Sequence, residues 1–236
     1  MRCKTAQRKP FILNGNKTDE KGENMFDFLV DLDEYFCETY ANYDKLCGLP
    51  GYKMPKMQDT RVGADGRTYA YTLPSNTLRL ALQENKAELL KAFKSKAYDK
   101  TFSFAFLPVS LFGRLKRKLA KDSFYKIFQK LLKRYDFTAE DAEEKLTVEK
   151  HIWDGVCKGK YLPTKNFIFS VALAAQMSLG DVKNALLFAG YELDFTEVKD
   201  VVVSYLLAQK VLNPLMVEAA LDEYKVRNLF LKKLEA

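Results

Sequence analysis

One histidine, His151, and four scattered cysteines, Cys3, Cys37, Cys47 and Cys157, bound the chemistry open to this chain. No C-x-x-C pair and no histidine-rich spacing is present to hold a structural metal. A Ser/His/Asp or Cys/His arrangement would have to use His151, and Cys157 sits six residues further on, on a poorly matched face of the same predicted helix. The acids Asp27, Asp31, Asp33 and Glu34 offer paired carboxylates, which read first as a solvated helix face. There is no Gly-rich phosphate loop and no nucleophile elbow, so no cofactor and no catalysis are expected. The cations are the more informative set. Arg114, Lys116, Arg117, Lys118 and Lys121 crowd one short run, and Lys150, His151, Lys158 and Lys160 follow in the next helical region. Cations at this density neutralise phosphates or solubilise a linker, and both readings stay open for 114–121. A basic amphipathic membrane contact is a third.

The elements that would position these cations are short helices. Thr138 with Asp141 three residues on forms a capping pair for a helix over 139–146. A turn at Thr147-Val148 leads to a helix over 149–157, with Ile152, Trp153 and Val156 as its inner stripe. Trp153 reads as a buried anchor, and Gly159 as the left-handed residue that stops the helix. Pro163 is expected to open a third helix with Ile168, Val171, Ala172 and Ala175 inward, and Ser178 with Asp181 marks the next start.

Helix, tight turn, helix and a Gly-Lys-x-x-Pro exit resemble the lambda-repressor-like (XRE-type) helix-turn-helix family. Phe137-Thr138 match its opening, Glu144-Lys145-Leu146 and Val148 its first helix and turn, and Gly159-Lys160 with Pro163-Thr164 its exit. Ala172, Ser178 and Leu179 fall on its later positions, so the resemblance covers roughly one fifth of the chain. Departures are Ala142-Glu143 for the usual Leu-Ala, Thr147 for the turn glycine, and Glu149 where a base-reading helix begins. The resemblance implies that Lys150, His151 and Lys158 approach DNA with Lys160 on its backbone, and that the reader works as a dimer. The stretches KGKYLPTKNFIF, LLFAGYEL and VSYLLAQKV are also similar to the helical C-terminal domain appended to some bacterial macrodomain proteins. That similarity implies a reusable module and transfers no catalytic residue.

The rest of the chain divides by composition. With 236 residues, 47% hydrophobic and 13% aromatic, it can bury a sizeable core. A net charge of +7 and a pI of 9.0 favour acidic partners. Residues 1–24 read as a disordered tail or as an untranslated leader before a natural start at Met25, a choice N-terminal sequencing would settle. Residues 25–110 read as an α+β module. Its first helix carries Phe26, Leu29, Leu32, Phe36, Tyr40, Tyr43 and Leu46 and is expected to end at Gly48-Leu49-Pro50. An Asp65-Gly66 hairpin follows, then a helix from Ser75 through about Lys94, and a third strand over 101–106. Residues 111–122 read as a basic linker. Residues 123–236 read as the repressor-like helical domain, with an inward stripe of Phe124, Ile127, Phe128, Leu131, Leu132 and Tyr135. Gly190 ends one later helix, Thr196 caps another, and Asn213-Pro214 starts the last.

The expected fold is mainly α, with a small antiparallel sheet in the N-terminal α+β module and a repressor-like helical bundle in the C-terminal half. No apolar run of about 18 residues appears, so no membrane partner is expected, and cysteine usage fits a cytoplasmic setting. Two functions remain: a nucleic-acid-binding regulator acting on duplex DNA as a homodimer, or a protein-interaction adaptor that has lost DNA binding and meets a protein partner through the N-terminal module. A DNA reader should cluster cations around the second helix of the unit, whereas an adaptor should expose an apolar patch there.

Overall fold

The structure is a computed structural model and describes residues 21–42, 58–62, 68–72, 86–97, 99 and 106–233. The fold is mainly helical, as expected, and its described helices number ten. Helix α1 spans Lys21–Thr39 and α2 Lys86–Lys96; between them β1 (Gln58–Val62) pairs antiparallel with β2 (Thr68–Thr72), Thr60 opposite Ala70. The two strands of the expected hairpin are thus paired, while its Asp65-Gly66 turn lies outside the described residues. Residues 101–105 of the strand expected over 101–106, most of the expected tail and the start of the expected helix at Ser75 lie outside the described residues, and Phe106 is not in a strand. Residues 21–24 belong to α1, which starts earlier than its apolar pattern indicated.

The chain continues through β3 (Leu107–Pro108), α3 (Leu111–Leu119), α4 (Phe124–Arg134), α5 (Ala139–Lys145) and α6 (Lys150–Cys157). It then forms β4 (Tyr161–Leu162), α7 (Lys165–Ala174), α8 (Leu179–Ala189), α9 (Val198–Ala208) and α10 (Pro214–Glu223). Local signals set most boundaries. Thr138 accepts from the Asp141 amide while the Asp141 carboxylate accepts from the Thr138 amide, a reciprocal capping box. Ser178 caps α8, Gly190 ends it at φ 85°, and Asn213 caps α10 ahead of Pro214. Two starts differ from expectation. Thr164, one residue after Pro163, caps α7. Glu197 rather than Thr196 precedes α9, and the Thr196 hydroxyl instead donates to Asp194 at 2.7 Å.

Two apolar cores meet at α9. The first gathers Phe124, Phe128 and Leu131 of α4, Trp153 and Val156 of α6, Phe167 and Val171 of α7, and Val182 and Leu186 of α8. Trp153 is the anchor expected, its ring about 6 Å from those of Phe128, Phe137 and Phe167. The second core joins Phe28, Leu32 and Phe36 of α1 and Leu90 of α2 to Val202, Tyr205, Ala220, Leu221 and Tyr224. The expected division at 110/111 therefore cuts across packing: α1 and α2 share a core with the last two helices, and β3 pairs with β4. Two of the four N-terminal carboxylates are also not a solvated face. Asp31 accepts from the Tyr205 hydroxyl at 2.7 Å, and Asp33 accepts from the Tyr224 hydroxyl at 2.7 Å and from Lys94 at 2.6 Å. Asp27 and Glu34 are exposed, as a helix face requires.

Candidate nucleic-acid interface

The 111–122 stretch is not a linker. Ser110 accepts from the Gly113 amide at 3.1 Å and starts α3, while Lys126 donates to the carbonyls of Lys118 and Ala120 and satisfies its end. Arg114 is held by its Nε donating to the Val109 carbonyl at 2.9 Å, and the Val109 amide donates to the Lys160 carbonyl at 2.8 Å. That short chain of bonds, continued by the β3–β4 pair, ties the basic helix to the exit turn of α6.

The exit turn is set by glycine. Gly159 has φ 68°, where a side chain is strained, and a Cβ there would press on the Tyr125 ring at 3.2 Å. The reversal lets the Lys160 amide donate to the Gly155 carbonyl at 2.7 Å and turns Lys158 and Lys160 outward. Gln129 from α4 donates to the Cys157 carbonyl at 2.7 Å and fastens the same turn.

Between α3 and this turn lies an open groove of about 590 Å³. Arg114, Arg117 and Lys118 form one side; Lys158, Gly159 and Lys160, with Tyr125 and Gln129, form the rest, and Leu111 and Leu115 sit at the α3 edge. Five cations from two separate segments line it, with no carboxylate among the lining residues. Of the sequence-selected residues, the groove brings together Arg114, Arg117, Lys118, Lys158 and Lys160. It leaves out Lys116, Lys150 and His151. Tyr125 and Gln129 were not selected: Tyr125 carried no charge signal, and Gln129 stood between apolar positions of a helix read only for its core.

Lys150 and His151 are exposed at the start of α6, where the resemblance would place base-reading residues. Their setting is mixed in sign. His151 Nδ1 lies 3.0 Å from the Glu149 carboxylate, and Lys158 pairs with Asp154 at 3.3 Å. The neighbouring α5 exposes Glu140, Glu143 and Glu144, and Asp141 is occupied by its cap and by Lys145 at 2.8 Å. The α5–α6 turn is braced from behind by the C-terminal segment: the Thr147 hydroxyl donates to the Phe230 carbonyl, and the Lys232 amide to the Lys145 carbonyl. Burial, reinforced by the Asp154 charge, pushes the Cys157 thiol up to about 11, so at neutral pH it is a protonated, weakly nucleophilic group. Among the described residues no cluster of three His, Cys, Asp or Glu side chains is placed to hold a metal ion.

Comparison of the chain with protein-family models, with curated proteins and with solved structures gives no significant match. Among the described residues, no helix is long and apolar enough to cross a membrane.

Proposed function

We propose that this chain is a helix-turn-helix nucleic-acid-binding regulator of lambda-repressor-like type, acting in the bacterial cytoplasm by binding rather than catalysis. One observation carries the reading. Two cationic segments separated by some forty residues converge on one groove with no acid among its lining residues. An open, basic groove takes a phosphate backbone, because releasing the backbone's counterions drives the association. In this reading α4 to α8 correspond to the helices of a repressor-like unit. The groove grips the backbone, and Lys150 and His151 at the start of α6 face the bases.

The test is binding of the full chain to random duplex DNA over a salt series. Five engaged cations give a log–log slope of about −4.5. The variant Arg114→Ala/Lys118→Ala/Lys158→Ala/Lys160→Ala should flatten that slope by roughly 3.6. Lys150→Ala/His151→Ala should relax sequence preference and shift the slope by no more than about 1. Absence of binding at low salt ends the regulator reading.

A second reading has its own support. The exposed acids of α5, together with Glu149 and Asp154 set against His151 and Lys158, offset cations on the surface a DNA reader would present. They favour an adaptor that meets a basic or neutral protein through α5 and α6. Failure to bind duplex at low salt, with capture of a defined partner that Glu140→Lys/Glu144→Lys abolishes, would establish it.

A further inference from the structure

Helix α3 is turned the wrong way for a globular protein. Leu111, Phe112, Leu115 and Leu119 fall within about 100° of arc on a 3.6-residue helix. Such a stripe ordinarily faces a core. Here these side chains are 80%, 80%, 55% and 79% exposed, and no residue of the helix is buried. Gly113, Arg114 and Arg117, on the opposite arc, are the half-buried positions. Lys116 and Lys118 are exposed and flank the apolar arc on its two sides, and Lys121 continues the charge beyond the helix end. The helix is well capped and tied down by Arg114, Lys126 and the β3–β4 pair, so this orientation belongs to the fold and not to a fraying end.

We propose that α3 is an interfacial anchor that lays its Leu111–Phe112–Leu115–Leu119 ridge into the surface of an anionic lipid bilayer. Charge selects this occupant. A second copy of the chain docked on this ridge would set the flanking Lys116 and Lys118 against their own duplicates, and α3 carries no acid to relieve the repulsion. An amphipathic peptide needs a concave apolar groove, whereas this face is a convex ridge, and the groove beside it carries five cations among its lining residues. A nucleic acid uses the cations and leaves Phe112 and Leu119 in water. A headgroup region with anionic phosphates above acyl chains satisfies both features: leucine and phenylalanine enter the acyl boundary while the flanking lysines stay at phosphate level. Such a helix lies on the bilayer and need not cross it. The proposal does not rest on the nucleic-acid reading, although Leu111, Leu115 and Lys118 also line the groove; it is argued from the apolar arc that Phe112 and Leu119 complete.

The experiment is co-sedimentation of the full chain with vesicles of phosphatidylcholine alone and of phosphatidylcholine with phosphatidylglycerol. Binding should require phosphatidylglycerol and weaken with salt. It should fall roughly 100-fold in Phe112→Ser/Leu115→Ser/Leu119→Ser, each lost insertion counting for up to about tenfold. Circular dichroism of that variant checks its fold. A second measurement does not depend on it: Phe112→Trp should be quenched by brominated acyl chains, with the parent chain, whose Trp153 is buried, as the blank. Three results overturn the proposal. One is unchanged vesicle binding by the folded serine variant, which would mean charge alone. Another is no sedimentation with phosphatidylglycerol and no quenching. The last is a concentration-dependent dimer, dissolved by the serine variant, which would mean that a second copy covers the ridge.

Discussion

Gly155→Ala should destabilise the protein although it improves the helix that carries it. Gly155 is a buried position inside α6, and a Cβ built there falls onto Cδ2 and Cε2 of the Tyr161 ring, far inside van der Waals contact. Exchanging glycine for alanine inside a helix contributes about 1 kcal/mol on propensity alone. Forcing a methyl into occupied space costs about 1–3 kcal/mol. Tyr161 is only half-buried, so its ring can relieve part of the clash by rotating about its own side-chain bonds while its backbone stays paired with β3, which keeps the cost near the middle of that range. The net expectation is a loss of about 1 kcal/mol, which is about 2–4 °C in Tm for a chain of this size. Thermal melts of four proteins decide it: parent, Gly155→Ala, Tyr161→Ala and the double variant. With the ring removed, the added methyl should stabilise by about 0.5–1 kcal/mol, so the effect reverses sign between the two backgrounds. If Gly155→Ala raises Tm in the parent background, the close packing of α6 on β4 is refuted.

Acid stability should show the capping box. The hydrogen bond from Lys145 and the two from Thr138 hold the Asp141 carboxyl down at about 2. Burial pushes Asp181 up, yet hydrogen bonds from Tyr135, Arg134 and Ser178 outweigh it and leave that carboxyl below its ordinary range. A carboxylate depressed by folding stabilises above its unfolded pKa, and the contribution is lost as pH falls towards the folded value. Melts between pH 5 and pH 2, a window taken from those shifts, should therefore decline less steeply for Asp141→Asn than for the parent, and Thr138→Ala should cost about 1 kcal/mol at neutral pH. An identical acid limb in the parent and Asp141→Asn would contradict the assignment. Cys157, with its thiol at about 11, should alkylate slowly in the native protein. Peptide-resolved iodoacetamide labelling at neutral pH checks this, and a native rate equal to the rate in urea would disprove the buried, protonated thiol.

What could be read from the sequence was local in origin. The Thr138–Asp141 box, the Ser178–Asp181 cap, Asn213-Pro214 and the Gly159 stop each depend on residues within a single turn, so spacing alone locates them. Trp153 was legible as an anchor because its helix had one apolar stripe. The misreadings have non-local causes. Asp31 and Asp33 look like solvated acids until Tyr205 and Tyr224, more than 170 positions away, deliver their hydroxyls. The groove required the β3–β4 pair to bring residues 114–118 beside residues 158–160, and no period in either segment announces that. Helix α3 was masked by its own charge. Four cations in nine residues read as a linker, a phosphate-contacting arm or a basic amphipathic membrane contact, and the apolar stripe between them has no buried position to single it out.

The two cores are locked together by polar groups on an almost wholly buried helix. From Lys199 to Leu207 every residue of α9 is buried, including Lys199, Asp200 and Ser204. Burying charge without partners is prohibitive, so each must be met from a neighbouring element. Lys199 reaches Asp99 at 2.7 Å and Asn166 of α7 at 3.1 Å. Asp200 is bonded to Lys165 at the start of α7 and to the Asp194 amide at 2.6 Å. Ser204 contacts Tyr35 of α1 at 3.1 Å. Apolar packing tolerates sliding of one helix along another, whereas these bonds are met in only one register. Helices α7 and α1 are therefore held to α9 from opposite sides. Cutting the chain at 110 would remove Asp99 from Lys199 and α1 from Tyr205, leaving a buried cation and an apolar face open to water. The groove and the α3 ridge belong to a framework that includes the N-terminal helices, which is why both binding tests call for the whole chain.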